Sequence, residues 1–217
     1  MLKKSPRFYI TLFLIKVITK IMRLLKRNAT NLPGVVALKL CPDILAQLEK
    51  PKTIIAVTGT NCKSTVSNMI VDALEYNGYK FMNNRFGGNI QTGIISTLID
   101  NTTLSGKIKY DMAVLEIDER SANRIYPYVK PDFLVCTNLS RDSFKRNAHP
   151  EFISDILNKY IPKETKLILN GDDLISSHLA PENERICFGI SWEDDEESIT
   201  DNIIKDIVMC PVCNSVL

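Results

Sequence analysis

The chain has 217 residues, which at about 150 residues per domain is one large domain or roughly one and a half. Hydrophobic residues make up 45% and charged residues 24%, ordinary globular proportions that exclude a disordered, collagenous, coiled-coil or polytopic membrane chain. A net charge of +2 is too small for a global nucleic-acid-binding field, and a core of this size needs neither disulfide nor metal to fold.

The charge is unevenly placed. Residues 1–30 carry Lys3, Lys4, Arg7, Lys16, Lys20, Arg23, Lys26 and Arg27 and no acid, whereas Glu193 to Glu197 form an acidic run near the other end that reads as a solvated loop. The apolar stretch Phe8–Ile15 is interrupted by Lys16, Lys20 and Arg23, well short of the roughly 20 apolar residues of a spanning helix. No small-residue cleavage site follows it, so no cleavable signal is evident. The six cysteines are scattered apart from the last two, and reduced thiols in a cytoplasmic setting are expected. Lys16, Lys20, Arg23 and Arg27 recur at helical spacing, which predicts an amphipathic N-terminal helix with a basic face. Two roles are open for it: packing on the body of its own protein, and contact with an anionic membrane surface.

Asn31 to Gly34 is a turn signal that ends this helix, and Pro42-Asp43 opens a short helix through Leu48. Thr53–Val57 is a continuous β-branched run, the pattern of a strand buried on both faces. Val66, Met69, Ile70, Ala73 and Leu74 then lie at helical spacing, closed by Asn77-Gly78. A short strand near Lys80–Met82 leads to the Gly-rich stretch Arg85–Asn89 and a helix over Thr92–Ile99. Strands are predicted at Met112–Ile117, Phe133–Thr137 and Lys166–Leu169, with a helix over Glu151–Tyr160. Strands alternating with helices predict an α/β fold with a mostly parallel, P-loop-type sheet.

The first strand runs into Thr58–Thr65, where a Gly-containing loop meets Lys-Ser at a helix start. These are the parts of a nucleotide phosphate cradle, in which backbone N–H groups and the helix dipole take phosphate oxygens. Lys63 would neutralise the β/γ-phosphates and Ser64 would face Mg²⁺. The pattern departs from the usual Walker spacing: Gly59 precedes Lys63 by four, and Cys62 stands where a second glycine is expected. A Cβ there restricts the backbone and crowds the phosphate. Glu116 ends a strand at the edge where α/β sheets place ligand groups, suited to Mg²⁺, while Asp118 and Glu119 also fit helix capping. Asn138, at the next strand end, is placed to bind ATP or a substrate carboxylate; Arg141 and Asp142 follow as nucleotide or supporting groups. Asn89 is placed to orient substrate. Asp172 and Asp173 read as helix capping, and His149 and His178 as surface or capping residues. Cys210 and Cys213 form a C-x2-C, half of a tetrahedral zinc site.

The loop resembles the Gly-Thr-Asn-Gly-Lys-Ser/Thr-Thr nucleotide loop of the Mur ligases, with Cys62 for the glycine. Within that family the chain is similar to the MurT type, the Mur-ligase-like subunits of lipid II isoglutaminyl synthase. The segment from Asn31 to Asp43, the loop Phe86–Gly93, the strand end Ala113–Glu119 and the motif Cys136–Asp142 match in order, and the likeness covers roughly residues 31–213. The resemblance implies a helical segment at 1–50, an ATP-binding central domain at 51–208 and the first half of a zinc-ribbon insertion at 209–217, with a further C-terminal domain missing. It implies Gly59, Thr60, Asn61, Cys62, Lys63, Ser64, Thr65, Asn138 and Arg141 on the nucleotide, Lys63 and Glu116 in catalysis, and Mg²⁺ on Ser64 and Glu116. The activity implied is ATP-driven amidation of the D-glutamate α-carboxylate of lipid II, with a glutamine amidotransferase (GatD-like) partner supplying ammonia at the inner face of the membrane. Structural zinc on Cys210 and Cys213 is implied but incomplete in this chain. Another Mur-like ligase, of folylpolyglutamate or cyanophycin type, and a non-catalytic nucleotide-binding remnant stay open as alternatives.

Overall fold

The computed structural model describes residues 3–27, 30–139 and 150–190. Arg141, Asp142, His149, the acidic run and the Cys210/Cys213 pair lie outside them. The chain opens with α1 (Pro6–Leu24), α2 (Leu32–Leu40) and α3 (Ile44–Gln47). Then come β1 (Thr53–Thr58), α4 (Lys63–Tyr76), β2 (Met82–Asn83), α5 (Gln91–Asp100) and β3 (Met112–Glu116). A 3-10 turn (Glu119–Ser121) runs into α6 (Ala122–Ile125), followed by β4 (Phe133–Cys136), α7 (Pro150–Tyr160), β5 (Lys166–Asn170), α8 (Leu174–Ser177) and β6 (Arg185–Phe188). The strands form one sheet in the order β2-β3-β1-β4-β5-β6, and every neighbouring pair is parallel.

That order makes β1 the place where the chain changes direction across the sheet. From β1 it moves to β2 and β3 on one side, then crosses to β4, β5 and β6 on the other. Such a reversal opens a crevice at the carboxyl ends of the strands. Register brings those ends level: Val57 pairs with Glu116 and Thr58 with Cys136. The residues following β1, β3 and β4 therefore meet at one edge.

α1 begins where Ser5 and Pro6 dictate. The Ser5 hydroxyl accepts the Phe8 N–H at 3.2 Å, and Pro6 sits in the first turn, where a missing N–H costs nothing. Phe8, Leu12 and Ile15 share one hydrophobic core with Ile94, Ile95, Leu98 and Ile99 of α5 and with the sheet. Lys16 caps the C-terminal end of α5 by donating to the Ile99 carbonyl at 2.9 Å, and Arg23 pairs with Asp100 at 2.6 Å. Lys16 and Arg23 thus lie on a flank turned toward α5, Lys20 stays exposed beside them, Arg27 falls beyond the helix end, and the outward face of α1 is apolar. The expected polar outer face is replaced by a second apolar one.

The stretch from Asn31 to Gly34 does not end α1, which already stops at Leu24 with Lys26 at φ 53°; it opens α2 instead. Pro33 falls in the first turn of α2, and Gly34 lets the helix approach α5, since a Cβ there would lie 1.9 Å from the Thr92 carbonyl oxygen. No helix among the described residues is long and apolar enough to cross a membrane.

Burial leaves one pH-sensitive lysine near α3. Desolvation holds Lys50 at about 8 against an ordinary 10.5. Between those values the unfolded chain binds more protons than the folded one, so stability rises with pH across that window. The gain should be on the order of 3 kcal/mol by pH 10.5, and urea melts of Lys50→Met against wild type should show the slope removed.

Candidate phosphate and cation site

The loop after β1 is braced from below by the end of β4. Gly59 takes φ 132°, a conformation that side-chain-bearing residues rarely adopt, and a Cβ on it would meet the Thr137 hydroxyl at 2.2 Å. The Thr60 N–H donates to the Asn138 carbonyl at 2.7 Å, and the Asn61 N–H donates to the Asn138 side-chain oxygen at 3.0 Å. Asn138 returns a bond from its amide nitrogen to the Asn61 carbonyl at 3.3 Å, and Thr137 donates to the same carbonyl at 2.7 Å. Asn138 therefore shapes the loop with both ends of its side chain rather than reaching out toward a ligand.

Cys62 stands at φ 61°, ψ 9°, the left-handed region that its expected glycine would occupy freely. The fold keeps the glycine-like backbone and carries the strain, about 1–2 kcal/mol for a residue with a Cβ. Cys62→Gly relieves that strain but loosens the unfolded chain by about 0.4–1 kcal/mol, so thermal stability should rise by no more than about 1.6 kcal/mol. Nucleotide affinity should rise as well, by up to about tenfold in calorimetric titration, because the loop N–H groups approach phosphate best without a Cβ.

Lys63 and Ser64 open α4 directly after the Gly-containing loop. The Lys63 ammonium turns back into the loop, donating to the Gly59 carbonyl, to the Thr60 carbonyl at 3.1 Å and to Glu119 at 3.3 Å. Glu119 lies in the 3-10 turn after β3 and is nearly buried, at 7% side-chain exposure against 13% for Lys63. Capping accounts for Asp118, which accepts the Arg120 N–H at 3.0 Å, but not for Glu119.

Ser64 donates to one oxygen of Glu116 at 2.7 Å, and Asn89 donates to the other at 2.9 Å. The Glu116 backbone is gripped by Asn84, whose amide nitrogen donates to the Glu116 carbonyl and whose oxygen accepts the Glu116 N–H, both at 2.8 Å. Sequence reasoning passed over Asn84: it follows a two-residue strand and matches no motif. Its side chain extends the β2–β3 ladder by one rung past the Asn83–Val114 pair.

A hydroxyl and a carboxylate 2.7 Å apart suit a hard cation. Two neighbouring oxygens of an octahedral Mg²⁺ shell at 2.0–2.1 Å lie about 2.9 Å apart, and Mg²⁺ takes one or two carboxylates together with substrate phosphates. Among the described residues no group of three or more His, Cys, Asp or Glu gathers as a metal cage, and the single-carboxylate site does not need one. Thr65 lies exposed on the first turn of α4. Asp173 caps α8, accepting the Ile175 and Ser176 N–H groups, and takes the Leu139 N–H at 2.6 Å, which steadies the segment after β4. His178 stands at the other end of α8 as its C-cap residue, with Nδ1 at 2.8 Å from the Leu174 carbonyl. Burial pushes the Cys41 thiol up to about 11 and Cys136 higher still, so neither is a nucleophile at neutral pH.

The chain matches no model of a protein family. It is 32% identical over 213 residues to the lipid II isoglutaminyl synthase (glutamine-hydrolyzing) subunit MurT of Staphylococcus aureus, covering 97% of this chain and 48% of that one. The MurT subunit of Streptococcus pneumoniae is 34% identical over 194 residues, 88% of this chain and 42% of that one. The chain belongs to the Mur ligase family. Its fold agrees with solved members: a MurF structure from Acinetobacter baumannii superposes with a TM-score of 0.54 at 19% identity, over 71% of this chain and 35% of that one. The relatives and solved structures bear the names of a synthase subunit and of ligases. The chain spans about half the length, or less, of the curated relatives it matches.

Proposed function

We propose that this chain is the ATP-binding, carboxylate-activating part of a lipid II isoglutaminyl synthase working at the inner face of the membrane. The substrate is the α-carboxylate of D-glutamate in lipid II, the product D-isoglutamine, and the ammonia comes from a glutamine amidotransferase (GatD-like) partner. The carrying observation is the contact between Ser64 and Glu116 at the level ends of β1 and β3, with Lys63 beside it. Likeness to MurT subunits across nearly the whole chain supports the substrate and the partner.

Each residue has a separate part. The first N–H groups of α4 point at the phosphates, and Lys63 exchanges the loop carbonyls for β/γ-phosphate oxygens while staying beside Glu119. Glu116 and Ser64 would hold Mg²⁺, which would supply neutralisation of phosphoryl charge there. Asn89 occupies the second Glu116 oxygen, keeping the first turned to Ser64. A substrate carboxylate oxygen attacks the γ-phosphorus and ADP departs. Ammonia attacks the resulting acyl phosphate at carbon, phosphate leaves, and the surplus proton of the nitrogen goes to water. Positioning and charge neutralisation are what the protein supplies. Cys210 and Cys213 would supply two of four thiolates to a structural zinc.

Cys62 favours a second reading, a subunit that binds nucleotide without turning it over. Calorimetric titration of the chain with ATP·Mg²⁺ tests the first step, with Lys63→Ala/Glu119→Gln as the control. Absence of binding by the wild type sinks the ligase reading; binding without turnover when the glutaminase partner and lipid II are present selects the second.

A further inference from the structure

α1 is apolar on two opposite faces. Phe8, Leu12, Ile15 and Thr19 face inward and are buried. Ile10, Phe13, Leu14, Val17, Ile21 and Leu24 recur at three- and four-residue spacing on the opposite side and are exposed, Ile10 at 62%, Phe13 at 55% and Leu24 at 83%. A helix buried on one side ordinarily turns a polar face to water. The outward stripe, Ile10 to Leu24, spans about 21 Å at 1.5 Å per residue. Lys16 and Arg23 tie the helix to the end of α5, so this face is held outward by the fold rather than by chance.

Charge identifies the occupant. Lys20 borders the stripe and Lys26 follows its end; both are exposed and neither has an ion-pair partner among the described residues. No acid occurs in the first 30 residues. An apolar strip with unneutralised cations at its edge complements an anionic lipid leaflet, where the side chains enter the headgroup boundary and the lysines meet phosphates. A protein partner's interface would concentrate aromatic residues, Met and Arg at its centre; this strip is mostly Ile, Leu and Val, with Phe13 its single aromatic.

We infer that α1 docks the protein on an anionic membrane by laying its outer face, Ile10 to Leu24, in the plane of the leaflet. The inference rests on the membrane placement proposed above and names the surface responsible. Docked in this way, the phosphate site is carried at a fixed height over the membrane that holds a lipid-linked substrate.

The test is co-sedimentation of the 217-residue chain with phosphatidylcholine vesicles, with and without phosphatidylglycerol. Wild type should bind the anionic vesicles, more weakly at high salt. Phe13→Ser/Val17→Ser should lower the partition by at least about tenfold, with melting temperature and ATP·Mg²⁺ binding unchanged. Lys20→Glu/Lys26→Glu should weaken binding to the anionic vesicles alone. If wild type does not bind anionic vesicles, the membrane placement fails and the assignment with it. If it binds and both variants bind equally well, the assignment to α1 is overturned while the placement stands. If the serine variant instead converts a dimer to a monomer in light scattering, the strip is a contact between copies and the inference is wrong. Loss of nucleotide binding with vesicle binding intact would count against the ligase reading alone.

Discussion

Lys63→Ala should abolish ATP·Mg²⁺ binding and also lower stability by about 3 kcal/mol, and adding Glu119→Gln should restore the stability without the binding. Lys63 and Glu119 are 13% and 7% exposed, and Lys63 is the ion-pair partner that the structure gives Glu119. Removing the cation leaves a carboxylate nearly out of water with nothing to balance it, the case in which breaking a pair costs most. The glutamine variant removes the charge that needed balancing and keeps the shape. Nucleotide binding follows a different account, because the phosphates need the ammonium itself. The check is a urea melt and a calorimetric titration on wild type, Lys63→Ala, Glu119→Gln and the double variant. Additive losses in stability would show that the two side chains do not balance each other. Recovery of binding in the double variant would remove Lys63 from the phosphate site. The same cycle warns that a single Lys63→Ala control mixes unfolding with lost contacts.

Why Glu119 escaped a reading of the sequence while Lys63 did not is a matter of distance along the chain. Lys63 belongs to a contiguous signal, in which a β-branched run, a glycine, Lys-Ser and a helical pattern follow one another, and each part constrains the next. Strands β1, β3, β4 and β5 were legible for the same local reason: each is a short continuous apolar run, mostly buried in β1, β3 and β4 and buried on one face in β5. Glu119 sits 56 residues from its partner and directly after Asp118, where capping explains an acid equally well. Only the register of β1 on β3 brings the two together. β6 was missed because it is an edge strand with Ile186 and Phe188 exposed, so burial imposed no pattern on it. The start of α2 was missed because asparagine, proline and glycine together read as a turn, whereas here Asn31 stands before a helix and Pro33 lies in its first turn. At α1 the basic spacing was real, but two of its cations serve the end of α5, which no local pattern announces. Asn138 was placed correctly at a strand end and assigned to ligand, whereas its amide closes on Asn61.

Asn84→Ala is expected to separate the cation from the nucleotide. Asn84 is buried and makes no contact that chemistry would demand of a ligand; its amide bonds the N–H and carbonyl of Glu116 and, at 3.2 Å, the Gly88 carbonyl. It therefore fixes the strand end that carries the Glu116 carboxylate and, through Gly88, the loop that carries Asn89. Alanine leaves those backbone groups without partners, a cost of about 1–3 kcal/mol. It also frees the carboxylate to turn from Ser64. Groups that orient a metal ligand from behind are typically worth about 10–100-fold in metal affinity, and a loss of that size is expected in a Mg²⁺ titration at saturating nucleotide. Binding of nucleotide without Mg²⁺ should change little, since Lys63, the loop N–H groups and the helix N-terminus lie on β1 and α4 and keep their own supports on β4. A residue that merely held the fold together would lower both titrations in step. Parallel losses would therefore remove Asn84 from the control of Glu116. A loss confined to the Mg²⁺ curve would show that the sheet edge is divided between two duties, with β2 and β3 holding the cation and β1 and β4 holding the phosphates.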